Sequence, residues 1–232
     1  MKRSALIALL ILTPGIYAQT KDPAKILSAV RQKFEKISDY EVDVNIKVDI
    51  NYIKVPDSKA KLFFKQPDKV KIESAGFAML PKNGVNFAPT QFLKDEYNSI
   101  YVRQEVSGGK KLYVVKVIPN SDTSDVILST LWIDTELNII RKVETTGKKG
   151  GTTTIELKYA DNGSALPSEV KFFFNFGNFQ VSPGINSGEN EQDSKKTKGR
   201  GSLKGTVILT YENYKVNMGI PDAVFNEKKN SH

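Results

Sequence analysis

The chain has 232 residues and a formal net charge of +8, from 34 lysines and arginines against 26 aspartates and glutamates. It contains no cysteine, which excludes a disulfide framework, thiolate metal sites and acylation of a lipoprotein cysteine. Its one histidine, His232, is the last residue, so we expect no histidine base or ligand inside the fold. The composition therefore predicts neither a nucleophilic triad nor a metal site, and no cofactor is expected.

The first 18 residues have the form of a secretory signal peptide. Lys2 and Arg3 precede an uncharged run over residues 4–18, and Ala18 is a small residue that offers a cleavage point. The apolar part is shorter than the ~20 residues that a membrane-spanning helix needs, although an uncleaved anchor is the alternative interpretation. We predict residues 1–18 as a cleaved signal and residues 19–232 as one exported domain.

The exported part remains basic, because removing Lys2 and Arg3 lowers the formal charge only from +8 to about +6. A basic exported protein is suited to anionic membrane surfaces or polymers, and nucleic acid is not an expected partner. We expect the protein to be a monomer.

One amphipathic helix is predicted after the signal, over residues 23–38. Asp22 has the place of an N-cap, and Pro23 that of the first helical residue. Apolar residues then recur every three or four positions, with basic residues between them. The apolar set is Ile26, Leu27, Val30, Phe34 and Ile37. This stripe is a natural partner for the strand that follows.

Residues 40–52 read YEVDVNIKVDINY, in which every even-numbered position is apolar or aromatic. Strict alternation predicts a β-strand with one dry face and one wet face. At roughly 3.3 Å per residue the segment would reach ~40 Å, about twice the length of a typical strand. A flat strand of this kind would expose its apolar strip, so the dry face must meet a curved sheet, a helix or a ligand.

Alternating patterns and turn residues predict about nine more strands, all with antiparallel neighbours. They cover residues 60–64, 70–72, 100–106, 111–118, 127–134, 138–145, 152–159, 167–176 and 205–214. About ten strands with short connections form a meander that must curl or close. Two segments interrupt it: an irregular apolar flap at 74–97, and a polar loop at 181–202 that contains the basic run KKTKGR.

The sequence offers little chemistry for an enzyme. Asp134 and Glu136 in LWIDTELN are the most conspicuous pair of carboxylates, but a polar hairpin turn after an apolar strand explains them better. The basic run at 195–200 could contact anionic headgroups, although a solvated loop is the simpler interpretation. The many apolar faces, with few elements to fill them, favour an apolar pocket.

Five stretches, taken together in their order and spacing, resemble the LolA-like family of outer-membrane lipoprotein-sorting and lipoprotein-carrier proteins. They are AKILSAVRQKFEKISDYEVDVNIKV, KLFFKQPDKVKIES, TLWIDTELNIIRKVE, TTTIELKY and GTVILTYENYKVNMGIPDAVF. The resemblance implies a mainly β (α+β) fold, a curled incomplete antiparallel β-barrel with covering helices on its concave side. It also implies a non-enzymatic periplasmic carrier that holds acyl chains for transfer toward the outer membrane, with membrane-anchored donor and acceptor proteins as possible partners.

The predicted ligand-binding residues line the cavity and the flap. They are Val42, Val44, Ile46, Val48, Leu62, Phe64, Ile72, Phe77, Met79, Leu80, Phe87, Phe92, Trp132, Phe172 and Phe174. One departure from the family concerns its inward-pointing arginine latch, since the inward set of the first strand here has only Tyr, Val and Ile. The alternative function is an envelope lipid-sensing regulatory or interaction module of the same fold. An outer-membrane barrel is a second rival, which the charged C-terminal tail disfavours.

Overall fold

The computed structural model describes residues 21–51, 55–74, 93, 96–148, 151–160, 163–179 and 201–226, without the side chains of 174–179 and 201–203. The predicted signal, the basic run at 195–200 and nearly all of the predicted flap lie outside this range. The elements are α1 Pro23–Glu35, β1 Asp39–Ile50, β2 Ser58–Lys65, β3 Lys69–Ser74, β4 Tyr97–Ser107, β5 Lys110–Pro119, β6 Val126–Asp134, β7 Ile140–Gly147, β8 Thr152–Tyr159, β9 Pro167–Phe179, β10 Gly201–Val216 and a 3-10 turn, Asp222–Phe225.

All ten strands belong to one antiparallel sheet with the order β3-β2-β1-β10-β9-β8-β7-β6-β5-β4. The predicted incomplete barrel of about ten strands is confirmed. The sheet is not a simple meander, however, because the first strand pairs with the last one over the register Tyr40↔Val216 to Ile50↔Gly205. The sheet is open between β3 and β4, which are its two edge strands. We call the opening between β3 and β4 the open seam.

Helix α1 begins as predicted and lies on the concave face of the sheet. Asp22 Oδ1 accepts hydrogen bonds from the backbone amides of Ala24 at 2.9 Å and Lys25 at 3.4 Å, and Pro23 occupies the first turn. Leu27, Val30 and Phe34 are buried against the sheet. More than one helix was expected to cover the concave face. Within the described ranges α1 is the single α-helix.

The helix crosses the concave face from one side of the open sheet toward the other. Near its N-terminus, Lys21 Nζ lies 6.0 Å from the ring centre of Tyr113 on β5. Near its C-terminus, the ring of Phe34 lies 5.7 Å from that of Phe64 on β2. Packing of the helix stripe thus joins strands that lie far apart in the sheet order.

Buried Asp39 joins the start of β1 to the segment after β10. Its carboxylate accepts hydrogen bonds from the amides of Met218 at 2.9 Å and Gly219 at 3.1 Å. Asn217, with φ 57°, accepts from the amide of Ser38 at 2.8 Å through its side-chain oxygen. These bonds fix the junction at which the first and last strands meet.

Candidate functional site

An unbroken apolar row crosses the concave face from β1 to β4. In each pair of neighbouring strands the members are register partners. In sheet order the row is Val48, Val207, Phe172, Ile155, Val143, Leu131, Val115 and Tyr101. The β-pleat sends all of these side chains to the same side as α1. The dry face of the first strand is therefore one part of a wall that eight strands share.

Burial along this wall decreases toward the C-terminal end of β1. Val42, Val44 and Ile46 are at most 2% exposed and share the main core cluster with the buried face of α1. Val48, its partner Val207 and the next residue in the row, Phe172, are only partly buried, although they pack against the core. The partly exposed end of the concave wall, Val48, Val207, Phe172 and Ile50, is the candidate site and is called the upper wall below.

The structure places most of the predicted β1–β3 residues together on this face. Leu62 and Phe64 on β2 are at most 1% exposed and belong to the main core. Ile72 on β3 lies opposite Leu62 and is partly buried against the same core. Phe77, Met79, Leu80, Phe87 and Phe92 lie outside the described residues, as does the side chain of Phe174. Their predicted contact with a ligand stays a prediction.

Trp132 does not share this wall, which corrects its predicted position. Leu131 and Ile133 point into the core, so the residue between them faces the outer side of the sheet. There Trp132 forms a small separate cluster with Leu112 and Val114, and its indole Nε1 donates to Glu105 Oε1 at 2.8 Å. Its register partners on this outer row are Val114 and Lys142.

Arg31 on α1 is a site residue that the sequence reasoning did not identify. Its Nη2 donates a hydrogen bond to the carbonyl oxygen of Leu93 at 2.8 Å and lies 3.5 Å from the hydroxyl of Tyr97. Leu93 is 3% exposed and belongs to the core cluster. A guanidinium on the helix thus binds the chain just before β4, on one side of the open seam. In the sequence, Arg31 is distinguished only as the one arginine of this helix, whose other basic residues are lysines.

Asp134, the strongest carboxylate candidate, is held in a structural role. Its Oδ1 accepts from the backbone amides of Glu136 and Leu137, each at 3.0 Å, and its Oδ2 accepts from Arg141 at 3.0 and 3.2 Å. Burial raises the pKa of this carboxyl, but the hydrogen bonds and the charge of Arg141 outweigh burial, so the pKa is lower than usual. These contacts are those of a hairpin turn.

Tyrosines line the core near the β1–β10 pair. The ring of Tyr40 stacks on Phe64 at 5.0 Å, and Tyr214 meets Tyr40 edge-on at 5.7 Å. Burial raises the pKa of Tyr40 and of Tyr214 far above the ordinary value, so both phenols are neutral at all physiological pH values. They act as aromatic packing groups with a polar end. In the part of the chain that the structure describes, no three His, Cys, Asp or Glu side chains come together as a metal site.

Neither the known protein-family profiles nor the curated protein sequences match this chain. Several solved structures do resemble it. A LolA superfamily protein from Nitrosomonas europaea is 15% identical, with a TM-score of 0.58 over 90% of this chain and 99% of that one. A DUF1329 family protein from Desulfovibrio piger is 11% identical, with a TM-score of 0.56 over 89% of this chain and 98% of that one.

A third solved structure is a putative outer membrane lipoprotein-sorting protein domain from Vibrio parahaemolyticus. It is 13% identical, with a TM-score of 0.52 over 88% of this chain and 97% of that one. At these identities the likeness concerns the fold. Among the described residues, no helix has the length and apolar character needed to cross a membrane. The open ten-stranded sheet and the helix on its concave face give this chain the LolA-like fold.

Proposed function

We propose that this protein is an exported periplasmic carrier that binds the acyl chains of lipoproteins or other lipids on its concave face. In this proposal residues 19–232 form the mature single domain and pass their cargo toward the outer membrane. The protein acts by binding and release, without covalent chemistry, and its partners are a lipid or lipoprotein and membrane-anchored donor and acceptor proteins.

The partly exposed upper wall is the observation that carries the proposal. Val48, Val207 and Phe172 are adjacent register partners, so they form a continuous apolar patch. They are partly exposed, whereas Val42 and Val44 on the same face lie buried in the main core cluster. An apolar surface that continues out of a core in this way is suited to cover an acyl chain.

The energy scale is sufficient for lipid extraction. Burying a long acyl chain contributes on the order of 10 kcal/mol, at ~0.8 kcal/mol per methylene group. The ordering of chain and protein reduces this gain. A carrier of this kind releases its cargo only when a competing site or a change in the wall lowers the affinity. We propose that the flap residues Phe77, Met79, Leu80, Phe87 and Phe92 supply that change.

The test compares two neighbouring positions on β10 that face opposite sides of the sheet. Val207 belongs to the upper wall, whereas Ile208 belongs to the outer row beside Lys47 and Lys171. We expect Val207→Asp to weaken binding of a fluorescent fatty acid at least tenfold, because it places a carboxylate on the acyl-binding surface. Ile208→Asp serves as the matched control and should leave binding within a factor of two. Equal affinities for two folded variants would reject this wall as the lipid site.

A further inference from the structure

A cleft of about 650 Å³, with both polar and apolar lining residues, lies at the end of the barrel opposite the upper wall. It is formed by the last turn of α1, the loop between β6 and β7, the loop between β8 and β9, and the end of β10. We call it the lower cleft. None of the acyl-binding residues named above lines it.

The floor of the lower cleft is continuous with the core. Ile37 and Leu166 line the cleft, and both belong to the main core cluster, with exposures of 8% and 4%. Ala165 lines the cleft and packs on the same cluster. An apolar chain lying on this floor would place a polar group at its end among the side chains of the walls.

The walls carry more positive than negative charge. Lys33 and Lys36 come from the helix, and the carboxylate among the lining residues belongs to Glu136, which is exposed on the turn. Lys33 Nζ donates to a neutral acceptor, the carbonyl oxygen of Leu137, at 2.8 Å. Burial, together with the charges of Lys36 and Arg141, lowers the pKa of Lys33, and Asp134 opposes this.

The nearby buried carboxylate of Asp134 attracts Lys33 through its charge but makes its hydrogen bonds to other groups. Both oxygens of Asp134 already accept hydrogen bonds, from two backbone amides and from the guanidinium of Arg141. The charged groups around Lys33 are thus Lys36, Arg141 and Asp134. Of these, Asp134 is paired with Arg141. An added anion would be stabilised here, because it would face two lysines at the edge of a low-dielectric core.

The remaining wall groups suit an oxygen-rich anion. Gln32, Asn138 and Ser164 line the cleft with amide and hydroxyl groups, which can donate to phosphate oxygens. A phosphate group can accept several such bonds while its charge meets the lysines. A neutral headgroup would gain nothing from the charges of Lys33 and Lys36.

We infer that the lower cleft binds the phosphate group of an anionic amphiphile whose acyl chain lies on the apolar floor of the cleft, formed by Ile37, Ala165 and Leu166. The chain half of this inference rests on the proposed lipid-binding function, whereas the phosphate half rests on the cleft alone. It names lipids with a phosphate headgroup as the class of lipid that the lower cleft takes.

The experiment uses four probes that separate the headgroup from the chain: inorganic phosphate, glycerol phosphate, lauroyl-glycerol and lauroyl-glycerol phosphate. Affinities are measured by calorimetry on the unmodified protein, on the double variant Lys33→Met/Lys36→Met, and on Lys33→Arg/Lys36→Arg. The control variant Lys47→Met/Lys59→Met removes the same charge from two exposed lysines outside the cleft. Amide chemical shifts of Asn138 and Ser164 report where the phosphate binds.

We expect lauroyl-glycerol phosphate to bind about tenfold or more tightly than lauroyl-glycerol. The methionine double variant should abolish that difference, and the arginine variant and the control should keep it. Equal binding of the two lauroyl probes, or a difference that survives the methionine variant, would overturn the inference while leaving the lipid-binding function intact.

Two further outcomes show whether the phosphate belongs to a lipid or is free, and whether the protein binds lipid at all. If glycerol phosphate or inorganic phosphate binds as tightly as lauroyl-glycerol phosphate, the cleft is a site for free phosphate and the headgroup assignment is overturned. If neither lauroyl probe binds but glycerol phosphate shifts the amide resonances of Asn138 and Ser164, the cleft binds phosphate without a lipid. The proposed lipid-binding function then fails, together with the part of the inference that concerns the acyl chain.

Discussion

The guanidinium of Arg141 holds the buried carboxylate of Asp134 through two hydrogen bonds, from Nε at 3.2 Å and Nη2 at 3.0 Å to Oδ2. Both side chains are well buried, with side-chain exposures of 17% and 5%. The Arg141 guanidinium also lies 5.2 Å from the ring centre of Tyr159, whose hydroxyl donates to the carbonyl of Ile140 at 2.8 Å. The ion pair therefore joins the end of β6 to β7, and the ring and hydroxyl of Tyr159 join this turn to β8.

Replacing Asp134 by Ala should destabilise the protein by about 3 kcal/mol, because it leaves Arg141 buried without its partner. Since the pKa of Asp134 is lowered in the folded state, its contribution is present above its ordinary value of 3.8 and is lost as the pH falls through the folded pKa. Urea unfolding at pH 7 and at pH 3 measures this. The free energies of unfolding of the unmodified protein and of Asp134→Ala should differ less at pH 3 than at pH 7. The same difference at both pH values would contradict the lowered pKa of Asp134.

Docking of α1 depends on Phe34, which is 1% exposed and meets the ring of Phe64. Phe34→Ala should lower the free energy of unfolding by about 3–5 kcal/mol, through lost burial and the cavity left behind. Its neighbour Glu35 is exposed, so Glu35→Ala is the control and should change stability by about 0.5 kcal/mol or less. A loss in Phe34→Ala as small as that in Glu35→Ala would mean that packing of the Phe34 ring does not hold the helix on the sheet, since alanine itself favours the helix.

The 3-10 turn after β10 is attached to the β2–β3 hairpin by Asp222. Its carboxylate oxygens lie 2.6 Å from Lys65 Nζ and 2.8 Å from Lys69 Nζ, and these hydrogen bonds and charges lower the pKa of Asp222 to about 2. We expect an NMR titration at low ionic strength to give this value. In Lys65→Met the pKa should move upward toward 3.8, the ordinary value. A pKa that stays the same in this variant would show that the pair does not form in solution.

Arg31 should control how fast a ligand exchanges, because it fastens the helix to the carbonyl of Leu93 beside the open seam. Arg31→Gln should increase the dissociation rate of a bound fluorescent fatty acid severalfold. Arg103 on the edge strand β4 pairs with Glu105 and is exposed, so Arg103→Gln serves as the control. Stopped-flow displacement measures both rates, and an unchanged rate in Arg31→Gln would exclude the proposed role.

The sequence predicted the strands and their faces well, because alternation is a local property. The even-numbered side chains of β1 from Tyr40 to Ile46 are buried as expected, and the helix begins at Pro23 after its Asp22 cap. Which strands form the edges could not be predicted in this way. That depends on the pairing of β1 with β10, which are separated by most of the chain.

The position of Trp132 shows where local reasoning failed. Leu131, Trp132 and Ile133 are three consecutive apolar residues, so alternation does not identify the inward set, and the register shifts between Trp132 and Ile133. Trp132 was predicted to line the cavity, whereas it lies in the outer cluster with Leu112 and Val114. The lower cleft was not predictable either, because it joins four segments that meet only in the folded sheet.

The central claim is that the concave face holds a lipid. Native mass spectrometry of the protein purified from a periplasm without detergent, repeated after organic extraction, tests it most directly. We expect a stoichiometric phospholipid or acylated peptide that leaves on extraction, with renewed uptake when lipids are offered. A clean apo mass that persists after lipids are offered would contradict it, and would mean that the upper wall packs only on the protein itself.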